Sequence, residues 1–172
     1  MERDEWNALW AEDGHDHAHD HEGPNPRHHH GGTDPDGAII RVFRNREAVL
    51  IRAYDAALAG TPDPAAALGG RLQAFRQHHV DHLVALGGGP GDIQDAPAPG
   101  QADPAGSGSA APMVPALPAD PGSWPAYFAE QEQQHADATG TGVRISTDGD
   151  LARLLALIMA SETAHAAGWG NG

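Results

Sequence analysis

Seven residues of this chain combine types and spacings suited to holding a cation. Glu162 and His165 form Glu-x-x-His, and Glu132 with His135 repeats the pattern. His79 and His82 form His-x-x-His, and Glu47 stands alone upstream. A spacing of three puts two side chains on one face of a helix, about one turn apart. Carboxylates offset the charge of a cation and can bridge two of them, while imidazole fixes its orientation. Together these groups suit iron, manganese or zinc. The chain has no cysteine, which excludes disulfides, thiolate sites and iron–sulfur clusters.

The positions become informative once the apolar pattern around them is traced. In the last stretch Leu151, Leu155, Ile158, Glu162, His165 and Trp169 recur at alternating spacings of four and three, the seam of a helix buried against partners. Phe43, Glu47, Leu50, Tyr54 and Ala57 repeat it, as do Leu68, Leu72, Phe75, His79, His82 and Leu86. Phe128, Glu132, His135 and Thr139 give a shorter, weaker version. Each seam therefore carries ligand-type residues where oily ones are expected, and burying such groups is costly unless something pairs with them. His78 falls one position off its seam and is expected to face solvent.

These ladders predict an all-α chain with helices at about 39–59, 64–87, 123–140 and 149–169. Asp63 before Pro64 reads as a helix cap, as does Ser123 before Pro125, and Ser146 or Asp148 for the last helix. Gly140 and Gly142 each cost a helix roughly 1 kcal/mol relative to Ala, so the third helix is expected to stop near Thr139. The short break at 60–63 makes the first two helices an antiparallel pair. Residues 88–122, rich in Pro, Gly, Ala and Ser, read as a linker or long crossover.

Composition bounds the rest. Leu, Ile, Val and Phe make up under a fifth of the 172 residues, and the net charge is −14, a balance that hints at disorder. Their distribution says otherwise, because 23 of these 27 residues lie in four windows, 39–59, 64–86, 123–145 and 149–169. The acidic excess argues against nucleic acid or an anionic membrane as partner. No apolar run is long enough to span a bilayer. No basic segment followed by an apolar one opens the chain, so a cytoplasmic location is the default expectation. Residues 1–38 carry ten acids and seven of the twelve histidines, including His15, His17, His19, His21 and His28 to His30. This segment reads as a disordered tail, either simply solvated or loosely metal-collecting. The thin apolar content of the third helix makes a monomer marginal and leaves a homodimer open.

Two functional readings follow. One is a metal-binding bundle with a His-rich accessory tail. The other is a non-catalytic helical interaction module, with a buried Glu–His network and a tail responsive to pH or metal. No nucleophile motif supports a hydrolase.

The segments EAVLIRAYDAAL (47–58), RLQAFRQHHVDHLVAL (71–86) and 151–166 with its SETAH resemble a ferritin-like domain family of unknown function from high-GC bacteria. The resemblance covers roughly 39–87 and 123–169 and implies a ferritin-like four-helix bundle. It places Glu47 on helix one, His79 and His82 on helix two, Glu130 or Glu132 on helix three, and Glu162 with His165 on helix four. Iron-oxidising ferritins carry Glu-x-x-His on helix two where this chain has His-x-x-His, so one bridging carboxylate is missing. Metal binding is therefore expected ahead of any di-metal oxidase activity. An up-down-up-down order would bring all four ligand sets into one layer, whereas a ferritin-like crossover runs helices two and three parallel. With helices of the lengths drawn above, Glu162 and His165 would then lie about 15 Å or more from Glu47.

Overall fold

The computed structural model describes residues 34–61, 66–101 and 115–170. Residues 1–33 of the expected tail (1–38), the Asp63 cap and the middle of the crossover lie outside the described residues. Among the described residues every regular element is helical: α1 (Pro35–Gly60), α2 (Ala67–Ala85), a short α3 (Pro90–Asp95), a 3₁₀ turn (Pro121–Ser123), α4 (Trp124–Ile145) and α5 (Gly149–Gly170). No described helix is long and apolar enough to cross a membrane.

Two boundaries differ from the sequence reading in ways that matter. Helix α1 begins at Pro35, inside the segment read as tail. Asp34 caps it by accepting from the Gly37 N–H at 3.0 Å, with Pro35 in the first turn. Helix α4 does not stop near Thr139 but runs to Ile145. Its late glycines mark close helix contact instead: a Cβ on Gly142 would lie 2.5 Å from Phe43 Cε2, and one on Gly140 3.0 Å from Met159 Sδ. Ser123 makes no capping bond to α4. Asp120, three residues earlier, accepts from Gly122 N and Ser123 Oγ. Asp148 caps α5 by accepting from the N–H groups of Asp150 and Leu151 at 2.8 and 2.9 Å. Helix α2 closes in a Schellman motif: Gly88 N donates to Leu83 O, Gly87 N donates to Val84 O, and Gly87 takes the positive φ of 77° that the turn requires.

Contacts at the two ends give the direction of each long helix. At one end Asp36, in the first turn of α1, accepts from Thr147 N (3.0 Å) and Ser146 Oγ (2.9 Å) in the α4–α5 turn. Arg44 of α1 donates to Leu86 O, just past the end of α2. At the other end Arg71, early in α2, donates to Gly168 O near the end of α5, and Gly60 approaches Trp124 at the start of α4. The order is therefore up, down, down, up. Helix α1 packs on α2 and α4, and α5 packs on α4 and α2. Each of these neighbouring pairs is antiparallel, so their helix dipoles oppose favourably. Helices α2 and α4 run in the same direction, and one long connection joins them. In it α3 lies along α1, where Arg52 donates to Gln94 O and Ala96 O. Trp124 Nε1 and Tyr127 Oη tie its far end down through Pro118 O and Pro115 O.

The interior is layered. Ile39, Phe43, Leu86, Leu151, Leu155 and Ile158 form one apolar cluster. Tyr54, Ala57, Leu72, Trp124, Phe128 and Trp169 belong to the other. Between them lies a layer of carboxylates and imidazoles.

Candidate metal centre

All four long helices supply the polar layer, and the seam positions read from sequence are the positions that point into it. Glu47, His79, Glu132 and Glu162 have no solvent exposure, and His135, His165 and His82 keep 2, 3 and 6%. Glu130, the other candidate on helix three, is exposed and accepts from Gln134; Glu132 is the inward one. The expected separation of about 15 Å between Glu47 and the Glu162–His165 pair does not occur. With its earlier start, α1 carries Glu47 twelve residues, about 18 Å, above its base, and Glu162 lies thirteen residues, about 20 Å, into α5. Both reach one level although α2 and α4 run parallel.

His79 occupies the centre. Its Nδ1 is 2.8 Å from Glu47 Oε2 and its Nε2 is 3.0 Å from Glu132 Oε1. Glu162 spans the layer. Its Oε1 faces His82 Nδ1 at 3.0 Å and His79 Nδ1 at 3.6 Å. Its Oε2 faces His135 Nδ1 at 3.5 Å and His165 Nδ1 at 3.9 Å. Glu47 Oε1 lies 3.4 Å from His82, and Glu132 Oε2 lies 3.5 Å from His165. Tyr54 Oη donates to Glu132 Oε1 and accepts from Trp169 Nε1 at 3.2 Å. Tyr54 itself stacks on Phe128 with centroids 4.2 Å apart, so the floor of the layer is aromatic.

Much of this polarity is close but unsatisfied. Glu47 Oε1, His82 Nδ1, Glu132 Oε2, both ring nitrogens of His135, both oxygens of Glu162 and His165 Nδ1 are buried without a properly aligned hydrogen bond. Native interiors pair such groups, and each exception calls for an explanation such as an ion. Two sets of four converge, each with one ligand atom per residue and all four atoms within 4.8 Å of one another. One set is Glu47, His79, His82 and Glu162; the other is His79, Glu132, Glu162 and His165. Both contain His79 and Glu162. The donor set could thus hold a metal ion. His135 belongs to neither set, although its ring faces Glu162.

Electrostatics hold the layer in a charged form when no cation is present. Burial pushes the Glu47 carboxyl up, but the neighbouring His135 and His82 imidazoles and the hydrogen bond from His79 outweigh it, and its pKa lies far below the ordinary value. Glu132 is lowered too, with burial again opposing and His79 the main counterweight. Burial alone would depress His79, yet Glu162, Glu132 and Glu47 raise it well above the usual imidazole range. Against the same burial, Glu47 and Glu162 push His82 up to about 9. Tyr54 is raised by burial and by Glu132, so its hydroxyl stays protonated and donates.

The sequence reading missed one participant. The residue His78 is exposed, as its off-seam position implies, yet its Nδ1 lies 2.8 Å from His165 Nε2 and the two rings stack. Its place next to His79 was the available signal: 100° around the helix, it borders the seam.

No protein-family model, curated protein or solved structure matches the chain.

Proposed function

We propose that this chain is a ferritin-like metal-binding protein whose bundle core holds a divalent cation of the iron, manganese or zinc class. The observation that carries the reading is the pair of buried four-residue sets sharing His79 and Glu162, with orphaned ligand atoms on both. Two features support the ferritin-like assignment. Helices α2 and α4 run parallel across one long connection, and Glu-x-x-His on two helices meets a lone Glu on a third. His79 stands where a fourth carboxylate would complete that inventory. Charge then favours one tightly held ion. Three carboxylates are neutralised by one dication and one retained imidazolium, whereas two dications leave an excess of positive charge in a buried layer. Four imidazoles favour zinc or ferrous iron over manganese. The role is binding; the missing carboxylate weighs against di-metal oxidation.

A second reading has its own support. Both nitrogens of His79 already meet carboxylates at hydrogen-bond distance, as in a purely structural Glu–His network serving a helical interaction module.

Elemental analysis separates the two. Every protein compared is the full chain with the seven tail histidines changed to Ser, so that metal on the tail does not count. After loading with Zn²⁺ or anaerobic Fe²⁺ and desalting, about one tightly held ion per chain is expected. The ion should be lost when Glu162→Gln and His165→Ala are combined. A metal-free parent with unchanged helicity overturns the metal reading in favour of the network.

A further inference from the structure

The seven clustered side chains are nearly sealed from water, so a cation needs a way in. His165 is built to face both sides. Its Nδ1 looks inward, 3.5 Å from Glu132 Oε2 and 3.9 Å from Glu162 Oε2. Its Nε2 looks outward, 2.8 Å from His78 Nδ1 and 3.4 Å from Ser161 Oγ. Phe75 stacks on the ring at 4.3 Å and fixes its plane. His82 is slightly more exposed than His165, but its pairings run inward, to Glu47 and Glu162.

The two nitrogens, from neighbouring helices, now share a hydrogen bond; once a cation displaces its proton and the two side chains turn, they make a ligand pair in their own right. With metal–nitrogen bonds of about 2.0–2.1 Å, adjacent ligands around a tetrahedral or octahedral ion lie about 2.8–3.4 Å apart. The spacing between His78 and His165 lies at the lower edge of that range without moving the backbone. Ser161 Oγ stands beside them as an oxygen donor, and water completes the shell on the open side.

We propose that His78 and His165 form a two-imidazole port, which captures a borderline divalent cation at the surface and hands it through His165 to the buried carboxylates. The port rests on the reading of the buried cluster as a metal site. The cation first sits on His78 Nδ1 and His165 Nε2. It passes inward as Glu132 and Glu162 replace the outer ligands; the proton that His165 carried on Nδ1 moves by way of water to the vacated Nε2, which frees the Nδ1 lone pair for the cation. No electron transfer is involved. His78 is a transit ligand, present during loading and absent from the final set.

The test is the rate of Co²⁺ uptake by the full chain, followed by the visible bands of the coordinated ion. All proteins again carry Ser at the seven tail His positions. His78→Ala and His78→Phe should both load more slowly by roughly tenfold or more, the scale on which losing a supporting group acts at metal sites. Their final occupancy and helicity should match the parent. His78→Asp, which restores a ligand atom, should recover most of the rate. Parent-like rates in both His78→Ala and His78→Phe overturn the port, and so does faster loading of His78→Ala, which would make His78 a plug. A reduced final occupancy at unchanged rate makes His78 a permanent ligand and overturns the transit role. No uptake by the parent fails the buried cluster itself, and the port with it.

Discussion

His79 is the residue on which the site turns. A carboxylate there would add charge to three others; an imidazole instead bridges Glu47 and Glu132 and can carry the proton that balances them. This arrangement gives the metal-free protein a pH dependence of definite sign. The folded pKa of His82, about 9, and that of His79 lie above the unfolded value near 6.5. Their contribution is therefore complete below about pH 6.5 and is lost as pH rises through about 9. Glu47 and Glu132 are depressed, so theirs is complete above about pH 4.5 and is lost as pH falls through their folded values. A cation must displace the imidazole protons, so its binding strengthens as pH rises. The gap in thermal midpoint between Zn²⁺-loaded and metal-free protein should widen from about pH 6 to about pH 8.5. A gap that stays constant or narrows means that the imidazoles are not ligands.

At the scale of elements, the seams of α1 and α5 were readable because bulky and polar residues alternate there at helical spacing against an Ala-rich background. Burial follows those positions closely: Phe43, Glu47, Leu50, Tyr54 and Ala57 on α1, and Leu151 through Trp169 on α5. What could not be read was the role of glycine and the true start of α1. Gly140 and Gly142 look like helix breakers, yet they lie where Met159 and Phe43 come closest to α4. Asp34-Pro35 sits in tail-like composition, although the pair is itself a cap signal, and the Asp36 contacts with Ser146 and Thr147 anchor the turn that it begins. The two kinds of helical glycine should respond oppositely to alanine. Gly70 is exposed with open space around its missing Cβ, so Gly70→Ala should stabilise by roughly 0.5–1 kcal/mol. Gly142→Ala gains a similar propensity but drives a Cβ into the buried Phe43 ring. Overpacking of about 1–3 kcal/mol outweighs the gain, leaving a net loss of about 1 kcal/mol. Urea denaturation of both variants reads the two signs, and stabilisation by Gly142→Ala would mean that the α1–α4 contact is looser than described.

Across the whole molecule, topology and site depend on each other. Two apolar clusters clamp a polar layer, and the long connection lets α2 and α4 descend together while the neighbouring pairs stay antiparallel. The sequence showed that a connection of sufficient length exists, but it could not show that all four ligand-bearing turns come level. One extra turn at the start of α1, for which apolar periodicity holds no signal, supplies about 6 Å of that match. Among the described residues, the imidazole outside the seam, His78, was visible as a residue but not as a partner, because its contact is made to another helix.

The most direct measurement is anomalous diffraction at the zinc edge from crystals of the full chain soaked in Zn²⁺. A peak is expected inside the bundle, about 2.0–2.2 Å from ligand atoms of Glu162 and at least two of the buried imidazoles. The bonds from His79 to Glu47 and Glu132 should be rearranged around it. An interior without a peak, with His79 still bonded to both carboxylates, would contradict the account and leave a structural polar network in its place.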